Sequence, residues 1–357
     1  MWRGIDTPRQ LARLRTAMQA QGVAAVHLVR PENLAWLTGA RSYVALSGER
    51  GVLEALITAQ RCTLISSAIE AQRLEEEELG PGGLPVSAYR WWDAAQRQAL
   101  IDAALEGQTA LSDVPGLPPA LEHLRLEMLP DQDEGLRQLG QDAGAAIARA
   151  ARSLRPEMTE FEAAGILARE VGALGLAPLV NLCAGAARLQ TRRHPLPTAA
   201  RLGERALLVL SARRNGPVLS VSRLISFVPL SAQEKQRYRQ LLEIEALGLD
   251  AAERGGPLSE IFEVMRGGYT QMGEPDEIER HHQGGLTGYR PREARAEPGQ
   301  RQTVEDGMLV ALNPSLPGWK VEDTFLRRGG QLHDLTLHDW PSLSVKGRER
   351  PAVMQSE

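Results

Sequence analysis

Apolar residues in the first part of the chain follow both helical and strand spacing. Leu11, Leu14 and Met18 lie on one face of a predicted helix, and residues 23–29 form an apolar run before Pro31 that is typical of a buried strand. Further elements are predicted downstream, namely strands at 52–57, 62–66 and 85–89 and a charged helix at about 68–79. This alternation predicts an α/β domain.

The pattern changes after residues 120–132, which are predicted to be a linker because prolines interrupt the chain on both sides. A long alanine-rich helix is predicted from Asp133 to about Leu154, and residues 159–162 offer a capping box for the next helix. Residues 205–212 and 218–228 are predicted to form a hairpin around Asn215-Gly216. The remaining predicted elements are a helix from Ser231 to about Arg254, a helix at 258–267, a strand at 308–312 and a last hairpin around Pro317-Gly318.

Composition excludes several classes of function. The formal charge of −4 and pI of about 6.1 give no basic face for nucleic acid, and no run of 18 apolar residues predicts a membrane span. Cys62 and Cys183 share no metal-type spacing, which predicts reduced thiols and a cytoplasmic protein. Lysine occurs only at positions 235, 320 and 346, a bias attributed to base composition of the genome.

Several segments together resemble the creatinase, prolidase and aminopeptidase P superfamily of Xaa-Pro peptidases. They are the stretch from Asn33 to Gly39, the pair His194-Pro195 after Gly185, and the histidine-glycine segment from His281 to Gly285. The resemblance implies an α/β (α+β) chain with a creatinase-type N-terminal domain at 1–130 and a C-terminal pita-bread domain at 131–357. It also implies a homodimer.

Active members of this superfamily hold a pair of divalent ions, Mn, Co or Zn, with two aspartates, one histidine and two glutamates. The resemblance places the five ligand positions of this chain at Ser211, Ser222, His282, Asn313 and Glu322. Two divalent ions bring about four positive charges, which carboxylates must balance, and serine and asparagine oxygens are weak neutral ligands. No other alignment of the hairpin restores the aspartates, because Glu204 is the only acidic residue between Leu202 and Leu230. The sequence therefore predicts that the metal pair is lost and that no cofactor is bound.

Other polar residues fall at positions where the resemblance implies a site. His194, His282 and Glu322 are candidate catalytic residues, and Arg292, His281 and Tyr289 are candidate substrate-binding residues. The offset to Gly285 favours His282 over His281 as the residue that faces the cleft. Without a metal ion, a buried Glu322 needs His282 or Arg292 as a counter-charge, or else a raised pKa.

Three functions remain open at this point. The first is a homologue of Xaa-Pro peptidases without metallopeptidase activity that binds a proline-containing peptide or another small ligand, or acts through its dimer surface. The second is a metal-independent hydrolase of C–N bonds, as in creatinase, which uses His194, His282 and Glu322 and holds a substrate carboxylate with Arg292. The third is a prolidase with a single residual metal ion.

Overall fold

The computed structural model describes residues 5–355, and the chain divides into two units between Leu126 and Glu127. The sequence prediction placed the boundary slightly later, after Pro130. No helix within residues 5–355 is both long and apolar enough to cross a membrane.

The N-terminal unit contains one mixed sheet with strand order β4-β3-β2-β1-β5. Its elements are α1 Thr7–Ala20, β1 Ala25–Leu28, α2 Pro31–Thr38, β2 Leu53–Thr58, β3 Cys62–Ser67, α3 Ala71–Arg73, β4 Val86–Tyr89, α4 Ala94–Leu105, β5 Ala110–Ser112 and α5 Pro119–Glu122. Ile101 and Ala104 of α4 pack on Leu56 and Ile65 of the sheet. The α/β domain predicted from the alternating pattern is confirmed.

The C-terminal unit begins with long helices and continues as a series of strands. Its elements are α6 Asp133–Ser153, α7 Glu160–Ala173, β6 Ala177–Gly185, α8 Ala186–Leu189, β7 Arg205–Arg213, β8 Val218–Ser226, α9 Ala232–Glu253, α10 Leu258–Gln271, α11 Glu277–Arg280, β9 Gly284–Thr287, β10 Ala294–Arg295, β11 Leu309–Leu312, β12 Ser315–Leu316, β13 Trp319–Lys320, β14 Asp323–Arg328, β15 Gln331–Asp334, β16 Ser342–Val345, β17 Arg348–Pro351 and β18 Met354–Gln355.

Two sheets of this unit meet where β8 lies beside Glu322 and β14. One sheet has the order β18-β8-β7-β6 and the other has the order β10-β9-β11-β14-β15. An isolated antiparallel bridge joins Ser222 of β8 to Glu322, which directly precedes β14. The backbone N–H of Ser222 donates to the carbonyl oxygen of Glu322 over 2.9 Å. Residues from both sheets are therefore brought together at this junction.

Local sequence signals account for several of these elements. The capping boxes predicted at Thr159 and Ser231 both form, with Glu162 and Glu234 completing them. The predicted hairpin is β7–β8, and its turn residue Asn215 has φ 51°, a conformation that asparagine tolerates better than most residues.

Two predictions about the helices and strands are wrong. The helix predicted at 258–267 is α10, which continues to Gln271. The hairpin around Pro317-Gly318 is β12–β13, but it is not the last one, because β14 to β18 follow it. These later strands alternate polar and apolar residues only weakly, and Arg350, which is buried in β17, obscured the strand pattern.

Gly284 and Gly285 allow β9 to pass between β10 and β11. A Cβ atom at Gly284 would lie 2.1 Å from the carbonyl oxygen of Ala311, and one at Gly285 would lie 2.2 Å from that of Ala294. Both glycines also have positive φ values, 97° and 144°, which side chains disfavour. The backbone next to His281 and His282 is therefore fixed by close approach of three strands.

A network of charged side chains is buried beneath the same junction. Arg350 of β17 donates to Glu245 of α9, to Asp334 of β15 and to Asp323, while Arg223 of β8 also donates to Asp323. Arg223 and Arg350 are both fully buried. The network fixes β14, and with it the adjacent Glu322, against α9 and the C-terminal hairpin.

Candidate functional site

Glu322 is the carboxylate at the junction of the two sheets, and both of its oxygens are engaged. Arg292, from the loop between β9 and β10, donates to Oε1 over 2.6 Å, and the Ser222 hydroxyl donates to Oε2 over 2.9 Å. Burial opposes ionisation of Glu322, but the positive charges of Lys320 and Arg292 outweigh it and hold the pKa below its usual value. Glu322 is therefore an ionised carboxylate, and Arg292 is the counter-charge that the sequence analysis required.

Apart from His282, the other positions that the resemblance assigns to metal ligands carry neutral oxygens. Ser211 Oγ lies 2.9 Å from Ser220 Oγ on the neighbouring strand, so the two hydroxyls hydrogen-bond to each other. Asn313 is buried, and its Oδ1 atom has no hydrogen-bond partner within the described part of the chain. Together with Ser222, these positions contribute no negative charge to the site.

Three histidines lie together beside Glu322. The Nε2 atoms of His194 and His281 are 3.0 Å apart, and the rings of His281 and His282 stack with centroids 4.7 Å apart. Candidate ligand nitrogens of all three imidazoles lie within 4.8 Å of one another. Both His281 and His282 belong to this cluster, so the structure brings together all three histidines named from the sequence.

The histidines are held in their neutral form. Burial, followed by the charges of Arg292 and Lys320, lowers the pKa of His282 to about 3, and burial together with Lys320 lowers the pKa of His281 and of His194. At neutral pH these imidazoles can accept a proton or a hydrogen bond, but they do not add positive charge.

The low pKa of His282 predicts a loss of stability in acid. In the unfolded chain this histidine titrates near pH ~6.5, so its contribution to folding is present above that pH and declines as the pH falls towards 3. We expect His282→Asn to reduce the slope of unfolding free energy against pH between pH 6.5 and 5, by up to about 1.4 kcal/mol per pH unit. The ring is half-buried, so solvent screening makes the change in slope smaller than this upper limit. Urea unfolding at several pH values measures this slope. The exposed His333→Asn variant is the control, and equal slopes for both variants would contradict the prediction.

Lys320 also lies at the site, although the sequence analysis did not identify it. Its side chain is 3% exposed, and its Nζ atom lies 3.4 Å from His281 Nε2. Burial lowers its pKa, Glu322 opposes this, and Arg292 and Arg193 add to the lowering. A usable signal was present in the sequence, because a lysine between Trp319 and Val321 is unusual in a chain whose other cations are almost all arginine.

The loop that carries His194 is held by another residue that sequence reasoning missed as part of the site. Glu160, at the start of α7, is fully buried. Its Oε1 accepts a hydrogen bond from the Gly185 N–H, and its Oε2 accepts one from the Thr198 N–H, each over 2.9 Å. Glu160 therefore ties together the two ends of the segment that contains His194.

The strands around the histidines are connected by the Tyr269 hydroxyl. This hydroxyl lies 3.1 Å from Gln283 Oε1 and accepts a hydrogen bond from the Ser315 N–H over 3.0 Å. Tyr289, named as a candidate substrate-binding residue, is buried, and its hydroxyl accepts a hydrogen bond from Gln132. A role for Tyr289 in binding stays a prediction.

Comparison with known proteins gives two family matches along the chain. A family model described as the creatinase/prolidase N-terminal domain matches residues 10–115, and one described as metallopeptidase family M24 matches residues 134–333. The second match covers more than half of the chain. A search of curated proteins gave no match.

Solved structures share the fold at low sequence identity. The prolidase from Pyrococcus horikoshii OT3 has a TM-score of 0.76 and 17% identity, over 92% of this chain and 98% of that one. The Xaa-Pro dipeptidase from Bacillus anthracis has a TM-score of 0.74 and 16% identity, over 98% of this chain and 100% of that one. The N-terminal domain of a FACT complex subunit from Cicer arietinum (chickpea) has a TM-score of 0.70 and 12% identity, over 93% and 97%. The expected combination of a creatinase-type domain with a prolidase-like domain is confirmed.

Proposed function

The chain belongs to metallopeptidase family M24, and we propose that it is a member without the dinuclear metal centre that binds a small ligand or a proline-containing peptide in the corresponding cleft. The ion pair of Glu322 with Arg292 carries this proposal. A carboxylate whose two oxygens are held by an arginine and a serine is not free to bridge metal ions.

The donor set does not fit a pair of divalent ions. Of the five ligand positions, only Glu322 is a carboxylate, and Arg292 already balances its charge. The buried amino group of Lys320 lies next to the histidines and, when protonated, adds a positive charge there. Two further divalent cations would be repelled by these groups and would find no carboxylates to offset that repulsion. Metallopeptidase activity of the family type is therefore expected to be absent.

The choice of ligand class rests on the fold and on polar groups that face the junction. The matched structures include proteins named prolidase and Xaa-Pro dipeptidase, which makes a proline-containing peptide the first candidate. The relative named as a FACT complex subunit indicates that the fold also occurs in a protein that is part of an assembly. A homodimer and a cytoplasmic location stay predictions. Among the described residues both Cys62 and Cys183 are free thiols.

A metal-independent hydrolase is the second candidate, because the histidine cluster favours it. The three imidazoles are neutral at pH 7 and lie beside an ionised carboxylate, so one of them can act as a general base. His194 is the most exposed of the three and is the first candidate to contact a substrate. The single-metal prolidase is the weaker alternative, because Lys320 opposes a cation near His281.

Metal analysis and peptide hydrolysis on one sample test the proposal. After incubation with Mn²⁺, Co²⁺ or Zn²⁺ and desalting, we expect no retained stoichiometric metal and no metal-dependent cleavage of Ala-Pro or of Xaa-Pro peptides. Two retained ions per chain with metal-dependent cleavage would overturn the proposal. Cleavage that is insensitive to chelators and is abolished by His194→Ala would instead identify the metal-independent hydrolase.

A further inference from the structure

Lys320 is the one charged group of the site that lacks a partner of opposite charge among the described residues. Its only hydrogen-bond partner there is the neutral imidazole of His281. Glu322, the nearest acidic influence on it, is already bound by Arg292 and Ser222. The other two lysines of the chain, Lys235 and Lys346, are exposed to solvent.

The surrounding charges do not compensate for Lys320. Arg292 is paired with Glu322 and Arg193 is paired with Glu277, so each pair is neutral as a whole. Lys320 Nζ lies 3.4 Å from Nε2 of His281, a ring that can accept its hydrogen bond but cannot balance its charge. Burial therefore disfavours the ammonium form of Lys320 and lowers its pKa, and a negative group brought to Nζ would stabilise that form.

Neutral hydrogen-bonding groups with unfilled capacity lie next to this charge. Ser315 is the direct cross-strand neighbour of Lys320 in the β12–β13 ladder, and such neighbours have side chains on the same face. Its hydroxyl is buried and has no hydrogen-bond partner in the range 5–355. Arg292 Nε, Asn313 Oδ1 and His281 Nδ1 are also buried and unpartnered within that range. Buried polar atoms are normally satisfied, so this concentration indicates that a ligand supplies the missing partners.

We infer that Lys320 is the centre of an anion-binding site that takes the carboxylate of a small organic ligand, with Ser315 and Arg292 supplying further hydrogen bonds. The inference rests on the proposed function, since bound divalent ions would themselves attract the anion. A monoanion matches the single uncompensated charge. A phosphate dianion would leave a negative excess next to Glu322, which disfavours it.

In this arrangement a protein side chain provides the positive centre that the metal pair provides in active relatives. His194 is exposed, and His282 and Arg292 are half-buried, so the site opens to solvent on the side of these residues. The ammonium of Lys320 lies deeper, behind His281. The ligand is therefore expected to enter with its carboxylate first.

Calorimetric titration of the full-length protein with matched acids and amides tests this inference. The probes are acetate and N-acetyl-L-proline, their neutral counterparts acetamide and N-acetyl-L-prolinamide, and inorganic phosphate, all at constant ionic strength. We expect at least one of the two acids to bind at one site per chain, and the amides and phosphate to bind at least tenfold more weakly. Lys320→Met is expected to weaken acid binding at least tenfold, whereas Lys320→Arg retains part of it and Lys235→Met leaves it unchanged.

Thermal unfolding of the ligand-free variants provides an independent readout. Removing an unpaired buried charge is expected to raise the melting temperature of Lys320→Met, while acetate raises that of the wild type only.

Equal binding of acids and amides, no binding of either acid, or undiminished acid binding by Lys320→Met would overturn the inference. Tighter binding of phosphate than of both acids would assign the site to phosphate instead and would equally overturn it. If Lys320→Met does not fold, the wild-type comparison of acids with amides and the Lys320→Arg variant still decide. Metal analysis on the same samples separates the two proposals. Two ions per chain would refute the proposed function. A metal-free protein that does not bind carboxylates would refute only this inference.

Discussion

Replacement of Arg350 by methionine is expected to lower the free energy of unfolding by about 3–5 kcal/mol. Arg350 is fully buried and donates to Glu245 over 2.7 and 2.8 Å, to Asp323 over 2.9 Å and to Asp334 over 2.8 Å. Without it, Asp323 keeps only Arg223 as a charged partner and Glu245 and Asp334 lose their arginine, and burial with mutual repulsion already raises the pKa of Glu245 to about 7 and that of Asp334 to about 6. Denaturant unfolding at pH 7 measures the loss.

Arg348→Met is the matched control for this prediction. Arg348 lies on the same strand, and its guanidinium pairs with Asp250 and Glu253 in positions that are partly exposed to solvent. Exposed ion pairs contribute little, so this control is expected to cost no more than about 1 kcal/mol. A loss of the same size in both variants would mean that the buried network has no special role in stability. Acidification is expected to reduce the cost of Arg350→Met, because the three carboxylates can then take up protons.

The elements that the sequence predicted well are those whose signals are local. The hairpin turn at Asn215, the capping boxes at Thr159 and Ser231, and the long helix that begins at Asp133 each depend on residues within one or two turns of chain. Local signals of this kind operate before any tertiary contact is formed. Their success reflects agreement between local preference and the final fold.

The strands after residue 322 were missed because their burial depends on partners far away in the sequence. The sequence around Arg350 is typical of an exposed strand. The arginine can be buried only because it forms ion pairs with Glu245 and Asp323 in the folded chain. The same reasoning applies to Lys320, whose burial depends on the pairing of β12 with β13 and on His281, although a lysine is unusual in this arginine-rich chain. The strands and the site residue that the sequence did not predict are therefore those that contain buried ionic groups.

The proposed metal-ligand positions were reached by resemblance and not by local pattern. The sequence supplied their identities, Ser211, Ser222 and Asn313, and the requirement for a counter-charge to Glu322. It could not supply which residue meets that requirement, because Arg292 reaches Glu322 across 30 residues of sequence. Arg292, and not His282, is the counter-charge of Glu322 because the β9–β10 loop brings the Arg292 guanidinium to that carboxylate.

Introducing carboxylates at the proposed ligand positions is expected to create metal binding. The variant combines Ser211→Asp, Ser222→Asp, Asn313→Glu and Arg292→His, and it keeps His282 and Glu322 in place. These changes add three negative charges and remove the cation that now occupies Glu322, so about four charges of two divalent ions are balanced. We expect about two Mn²⁺ ions per chain after desalting, compared with none in the wild type, by elemental analysis.

An isosteric control distinguishes charge from shape in this experiment. The control carries Ser211→Asn, Ser222→Asn, Asn313→Gln and Arg292→His, which match the size of the new side chains but add no negative charge. Without metal ions the carboxylate variant should be the less stable of the two, because three more carboxylates are buried at positions that are now almost inaccessible to solvent. With Mn²⁺ at about 100 times its dissociation constant it should gain about 2.7 kcal/mol for each ion bound, whereas the control gains nothing. Equal metal content in the two variants would mean that Ser211, Ser222 and Asn313 do not occupy the former ligand positions, and the argument from charge would then lose its basis.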